Sequence, residues 1–148
     1  MTTFTGPGTG RVLLIHLTKG EDILHSVTKA AKDAGITSGV VVSGIGSLRK
    51  FHYHYIGTTD DKPQDVFETV EAPLELASLQ GAILEGKPHL HAVVSQKGTN
   101  TWSGHVEDGC EVQYLAEICI VELKDMPLGR RTAGEFGIAN IEWLGDCE

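Results

Sequence analysis

No apolar run in this 148-residue chain approaches the ~20 residues that a membrane-spanning helix needs. The opening residues, MTTFTGPGTG, carry neither the basic start nor the apolar middle of a signal peptide. Both absences lead to the expectation of a cytoplasmic protein with no membrane partner. Cysteine is scarce and odd in number: Cys110, Cys119 and Cys147, with no Cys-x-x-Cys pair. That excludes a disulfide framework and a zinc ribbon, and it suits free thiols in a reducing compartment.

Positive charge is also short. Twelve Lys and Arg face twenty Asp and Glu, giving a net charge of −8 and a pI near 5.3. Affinity for duplex DNA comes largely from releasing phosphate counterions to a basic patch. The only adjacent basic pairs are Arg49-Lys50 and Arg130-Arg131, and neither is a patch. Direct DNA binding by this chain is therefore not expected. No Gly-x-Ser-x-Gly is present, and Ser103 near His105 lacks a placed third partner, so a serine hydrolase site is not indicated. Gly44-Ile45-Gly46 begins a dinucleotide-type pattern, but Arg49 stands where its third glycine would be. A strand follows it instead of a helix, so tight backbone geometry is the better explanation.

What is present is a normal globular composition, 41% hydrophobic and 22% charged, at the size of one domain. Residues 1–9 read as a flexible start and 10–148 as a single domain. RVLLIHL (11–17) reads as a strand. Ile23, Leu24, Val27, Ala30, Ala31 and Ala34 recur at helical spacing, with Thr18/Glu21 or Asp22 able to cap the start and Gly35 suited to the end. Strands follow at 38–48, 50–56 and 66–70. Residues 72–86 fit a turn of helix and then a strand. A hairpin, a long strand at 111–123, a loop over 126–137 and a strand at 138–144 complete the chain. This order predicts an α+β fold with a largely antiparallel sheet flanked by helices.

The hairpin, GKPHLHAVVSQKGTNTWSGHVEDG (86–109), carries the functional argument. His89 and His91 share one face of a strand, and Leu90, Ala92 and Val94 share the other. In the second strand Trp102 and Val106 are apolar, while His105 and Glu107 alternate with them. Burying both apolar faces in one core fixes the parity, so His89, His91, His105 and Glu107 share the outer face. A loop of three or five residues sets His91 opposite His105, with Cβ atoms ~4.5–5.5 Å apart. Three imidazoles so placed can reach one ion. Imidazole suits zinc, iron, nickel and copper alike. Three nitrogens leave a fourth position, as in hydrolytic zinc enzymes, and Glu107 could close it or act as a catalytic base there. That chemistry is the alternative to a purely binding role.

GEDILHSVTKAAKDAGITSGVVVSGIGSLRKF, GKPHLHAVV and WSGHVEDGCEVQYLAEICIVEL together resemble the PPC (plant and prokaryote conserved) domain, over roughly residues 10–125. The resemblance implies an antiparallel α+β fold assembled as a homotrimer. Stand-alone prokaryotic members are named as predicted DNA-binding proteins and often hold a metal, typically zinc, on a histidine trio. The matching positions are His89, His91 and His105. The histidine trio on one polar face and this resemblance together lead to the expectation of a regulatory or small-molecule role. The AT-hook core Arg-Gly-Arg-Pro of plant members is absent from this sequence.

Other residues are candidates of lower rank. His52 and His54 share a face opposite Phe51, Tyr53 and Tyr55; an exposed or subunit-contact role is expected, with a contribution to a site as the alternative. His16 is expected as a hydrogen-bonded core residue and His25 on a helix surface. Cys110 is expected to be buried, with metal ligation as the alternative. Glu85 and Glu117 are candidate carboxylate partners for a ligating imidazole. Arg11 is expected on the surface, with an anionic ligand as the alternative.

Overall fold

The computed structural model describes residues 1–98 and 100–145, so Cys147 lies outside the described residues. In chain order the elements are β1 (Thr9–Thr18), α1 (Ile23–Asp33), β2 (Ser38–Ile56), β3 (Asp65–Leu84), β4 (Lys87–Gln96), β5 (Asn100–Val106), β6 (Glu111–Leu123), β7 (Leu128–Ala133) and β8 (Ile138–Trp143). The fold is mostly antiparallel sheet. Only one helix occurs among the described residues, so the expected flanking by helices reduces to α1 alone. No helix there is long and apolar enough to cross a membrane.

Asp22 caps α1. One carboxylate oxygen accepts from His25 N at 2.8 Å, and the other accepts from Gly109 N at 2.7 Å. Glu21 instead bonds back to Thr18 N at 2.6 Å, closing the turn before the helix. The helix ends at Ala34, and Gly35 follows with φ of 65°. Ile23, Val27 and Ala31 are completely or almost completely buried, and His25 lies outside as expected.

Two elements run longer than the pattern suggests. Residues 38–48 and 50–56 form one 19-residue strand, and residues 65–84 form one of 20, with no helical turn at 72–78. The reason is a register shift between Leu76 and Ser78 against β4. Leu74 and Leu76 are buried two apart, and Leu79 then follows three later. The irregularity moves the apolar face by one residue and mimics helical spacing. The region 126–137 is not all loop either: β7 and β8 form a separate two-stranded sheet. Arg131 ties β7 to Glu85 at 2.7 Å.

The main sheet runs β1-β6-β2-β3-β4-β5, and β5 pairs back onto β2. The strands β2, β3, β4 and β5 thus close on themselves. Inside lie Phe51, Tyr53, Leu76, Leu79, Leu90, Val94 and Val106, all 3% exposed or less. Burying a large apolar side chain in this way contributes roughly 1.5–3 kcal/mol. Gly104 makes the closure possible, because a Cβ there would meet the His54 carbonyl oxygen at 2.5 Å. Gly44 likewise leaves room for Leu79, whose Cβ would lie 2.6 Å from an added one, so the Gly-Ile-Gly segment serves backbone packing within β2.

His16 departs from expectation. Leu17 is buried while His16 is exposed, with Nδ1 3.9 Å from Glu117 Oε1. The strand is amphipathic rather than buried on both faces. Leu13, Ile15 and Leu17 face the core, so the intervening residues face outward.

Candidate metal centre

The hairpin has the predicted register. His91 pairs directly with His105, and Trp102 pairs with Val94 on the core side. Gln96 pairs with Asn100, so the connection is three residues long. Leu90, Ala92, Val94 and Val106 are buried, which turns His89, His91 and His105 to the outer face.

There the three rings cluster. Centroid separations are 5.3 Å for His89–His91, 4.5 Å for His89–His105 and 5.5 Å for His91–His105. One ring nitrogen from each lies within 4.8 Å of the others. The Nε2 atoms of His89 and His91 are 3.3 Å apart. Two nitrogens held about 2.0–2.1 Å from one tetrahedral ion stand about 3.3–3.4 Å apart, so this edge fits a metal ion. Burial lowers the proton affinity of all three imidazoles, and neighbouring histidine charges lower it further; His105 falls to about 4. At neutral pH they are therefore uncharged, the state a metal ligand requires.

A fourth histidine joins from β2. His54 pairs with His105 across the β2–β5 closure, and the rings stack at 4.4 Å. His54, His105 and His91 thus stand side by side on three adjacent strands. Glu107 Oε1 lies 2.5 Å from His54 Nδ1. That separation is too short for two ligands of one ion, and it suits an imidazole N–H donating to a carboxylate. Glu107, the candidate ligand or base, has a carboxylate oxygen engaged by His54. His54 Nε2 is 4.0 Å from Asp65 Oδ1, and Phe67 packs against the ring at 5.2 Å. His52 turns away to the Asp108 carbonyl, 2.8 Å from its Nδ1.

The outward parity of His54 is visible in KFHYHYI, but its closeness to His105 is not. That contact needs β2 to pair with a strand fifty residues later.

The remaining candidates lie elsewhere. Cys110 is buried, its thiol donating to the His52 carbonyl at 3.1 Å, and burial pushes its pKa up to about 12. It is a neutral core thiol. Glu85 is bound to Arg131 and Glu117 faces His16, so neither carboxylate supports the trio. Arg11 is paired with Glu122 at 2.7 Å. Ser103 is exposed on β5, opposite Val93.

The model of the Plants and Prokaryotes Conserved (PCC) domain matches residues 4–124. The chain belongs to the PCC-domain family. This PCC-domain protein is 26% identical over 125 residues to a bifunctional protein GlmU of Synechococcus sp. (strain JA-2-3B'a(2-13)). The match covers 84% of this chain but only 19% of that protein, so the chain spans about a fifth of the curated relatives it matches. Among solved structures, a plant- and prokaryote-conserved protein from Pyrococcus horikoshii superposes with a TM-score of 0.77 at 26% identity, over 98% of this chain and 99% of that one. A metal-containing protein from Archaeoglobus fulgidus superposes with a TM-score of 0.80 at 23% identity, over 98% and 100%.

Proposed function

We propose that this PCC-domain protein is a homotrimer that binds one divalent transition metal ion, zinc foremost, through His89, His91 and His105, in a regulatory or small-molecule role. The observation that carries the reading is the 3.3 Å Nε2–Nε2 separation of His89 and His91, beside a directly opposed His91–His105 pair. A fold neighbour described as metal-containing supports it. An ion held by three imidazoles supplies a Lewis acid with an open position. The chain's own part is to keep three neutral imidazoles converged. Glu107 fixes His54, whose ring braces His105.

Support for self-association comes from the outer face of β1, β6 and β2. Val12, Leu14, Val42, Ile45 and Leu115 are 65%, 75%, 54%, 52% and 43% exposed there. Exposed apolar side chains gathered on one sheet face suit an association surface. The free thiols of Cys110 and Cys119 suit the cytoplasm. The net charge of −8 argues against duplex DNA as a partner.

Elemental analysis of protein purified without chelator tests the metal reading. Near-stoichiometric metal in the native chain and little in His91→Ala is the expected pair of results. Native protein free of metal would overturn it.

A further inference from the structure

Residues 107–110 join β5 to β6 and lie between β2 and the start of α1. One peptide unit of this turn is held at both ends. The Asp108 carbonyl accepts from His52 Nδ1 at 2.8 Å, and the Gly109 N–H of the same unit donates to Asp22 Oδ2 at 2.7 Å. Gly109 has φ of 102°, a conformation that glycine adopts far more readily than other residues. On one side of the unit stands Cys110. Its thiol donates to the His52 carbonyl at 3.1 Å, and its own carbonyl accepts from Ile23 N at 3.0 Å. On the other side stands Glu107. Its N–H donates to the His52 carbonyl at 3.0 Å, and its carboxylate accepts from His54 Nδ1 at 2.5 Å. The Asp22 carboxylate therefore serves two donors at once, His25 N in the helix and Gly109 N in the turn. Gly109 is half-buried, and a partly buried N–H that loses its acceptor costs free energy until the peptide turns to find another. Such a turn would free the Asp108 carbonyl from His52 and move Glu107, its neighbour in the chain.

We infer that Asp22 is a positioning residue of the metal centre. Through the 108–109 peptide it fixes Glu107, and through Glu107 it fixes the His54 ring that stacks on His105 at 4.4 Å. This rests on the metal reading above. The route is a chain of hydrogen bonds from the helix to the site, and Asp22 needs no contact with a ligating imidazole. A helix cap alone would govern stability and leave the metal untouched. A positioning role makes metal affinity depend on Asp22, and only while His54 is present.

The test substitutes Asp22→Ser in the full chain. Serine caps a helix about as well as aspartate, but its one short oxygen cannot also serve Gly109. Co²⁺ affinity is measured by competition with a chromophoric chelator, in the native chain and in His54→Ala. In the native background Asp22→Ser should weaken Co²⁺ binding about 10-fold, the low end of what outer partners of a ligand contribute. In the His54→Ala background the same substitution should have no further effect. Native-like affinity in Asp22→Ser would overturn the proposal, as would an equal loss with and without His54. If Asp22→Ser does not fold, Asp22→Asn is measured in the same way, since its single oxygen can satisfy only one of the two donors. Failure of Co²⁺ to bind the native chain sinks the metal reading itself. Imidazole resonances of the unloaded protein then still decide the positioning. Asp22→Ser should shift the ring signals of His54 and His105 and leave those of His16 in place. Unchanged His54 and His105 signals contradict it.

Discussion

His54 shows how much of this site depends on single residues outside the predicted trio. Its ring lies flat on His105 at 4.4 Å, and Glu107 holds its Nδ1 at 2.5 Å. Groups that orient a ligating imidazole typically account for a 10–100-fold share of metal affinity. His54→Ala should therefore weaken metal binding by roughly that factor. Glu107→Gln should cost less, because an amide oxygen still accepts from Nδ1–H. Competition against a chromophoric chelator measures both. Equal affinity in His54→Ala and native protein would show that the stack is incidental. The trio itself is legible in the amino-acid sequence, because Leu90, Ala92, Trp102 and Val106 fix the parity of the hairpin. His54 is legible only as an outward-facing residue, since nothing local in KFHYHYI reveals that β5 lies alongside.

At the scale of elements, the site exists because β5 closes onto β2. Gly104 is the contact point. Gly104→Ala would drive a methyl group against the His54 carbonyl, and overpacking of this kind costs about 1–3 kcal/mol. Urea denaturation should show that loss, together with weaker metal binding as His54 and His105 separate. A second link joins β1 to β6. The Arg11 guanidinium holds the Glu122 carboxylate well below its usual range, at about 2. A depressed carboxylate pKa means that the pair stabilises the fold above the unfolded carboxylate's pKa, near 4.3, and ceases to do so as pH falls through about 2. Glu122→Gln should remove that part of the acid dependence of unfolding. The pair is exposed, so the effect should shrink in high salt. The longer strands were hidden from pattern reading for a physical reason. The irregularity at Leu76–Ser78 shifts the buried face of β3 by one residue, and alternation then looks like a helical turn. In β7 the residues from Arg131 to Ala133 are all exposed, so no apolar period marks the strand.

For the whole molecule, the closed strands place the histidines and the open outer face of β1, β6 and β2 carries the apolar surface. Leu14, 75% exposed in the middle of that face, is the natural position to test. Leu14→Asp should convert a trimer to monomer in sedimentation equilibrium without unfolding the chain. A native protein that sediments as a monomer would remove the assembly from the account. The central claim is that His89, His91 and His105 hold one ion. X-ray absorption at the metal edge of the native protein tests this most directly. The expected result is imidazole nitrogens at about 2.0–2.1 Å, three per ion, with one fewer in His91→Ala. An ion surrounded only by oxygen, or one whose surroundings are unchanged by that substitution, would contradict the account.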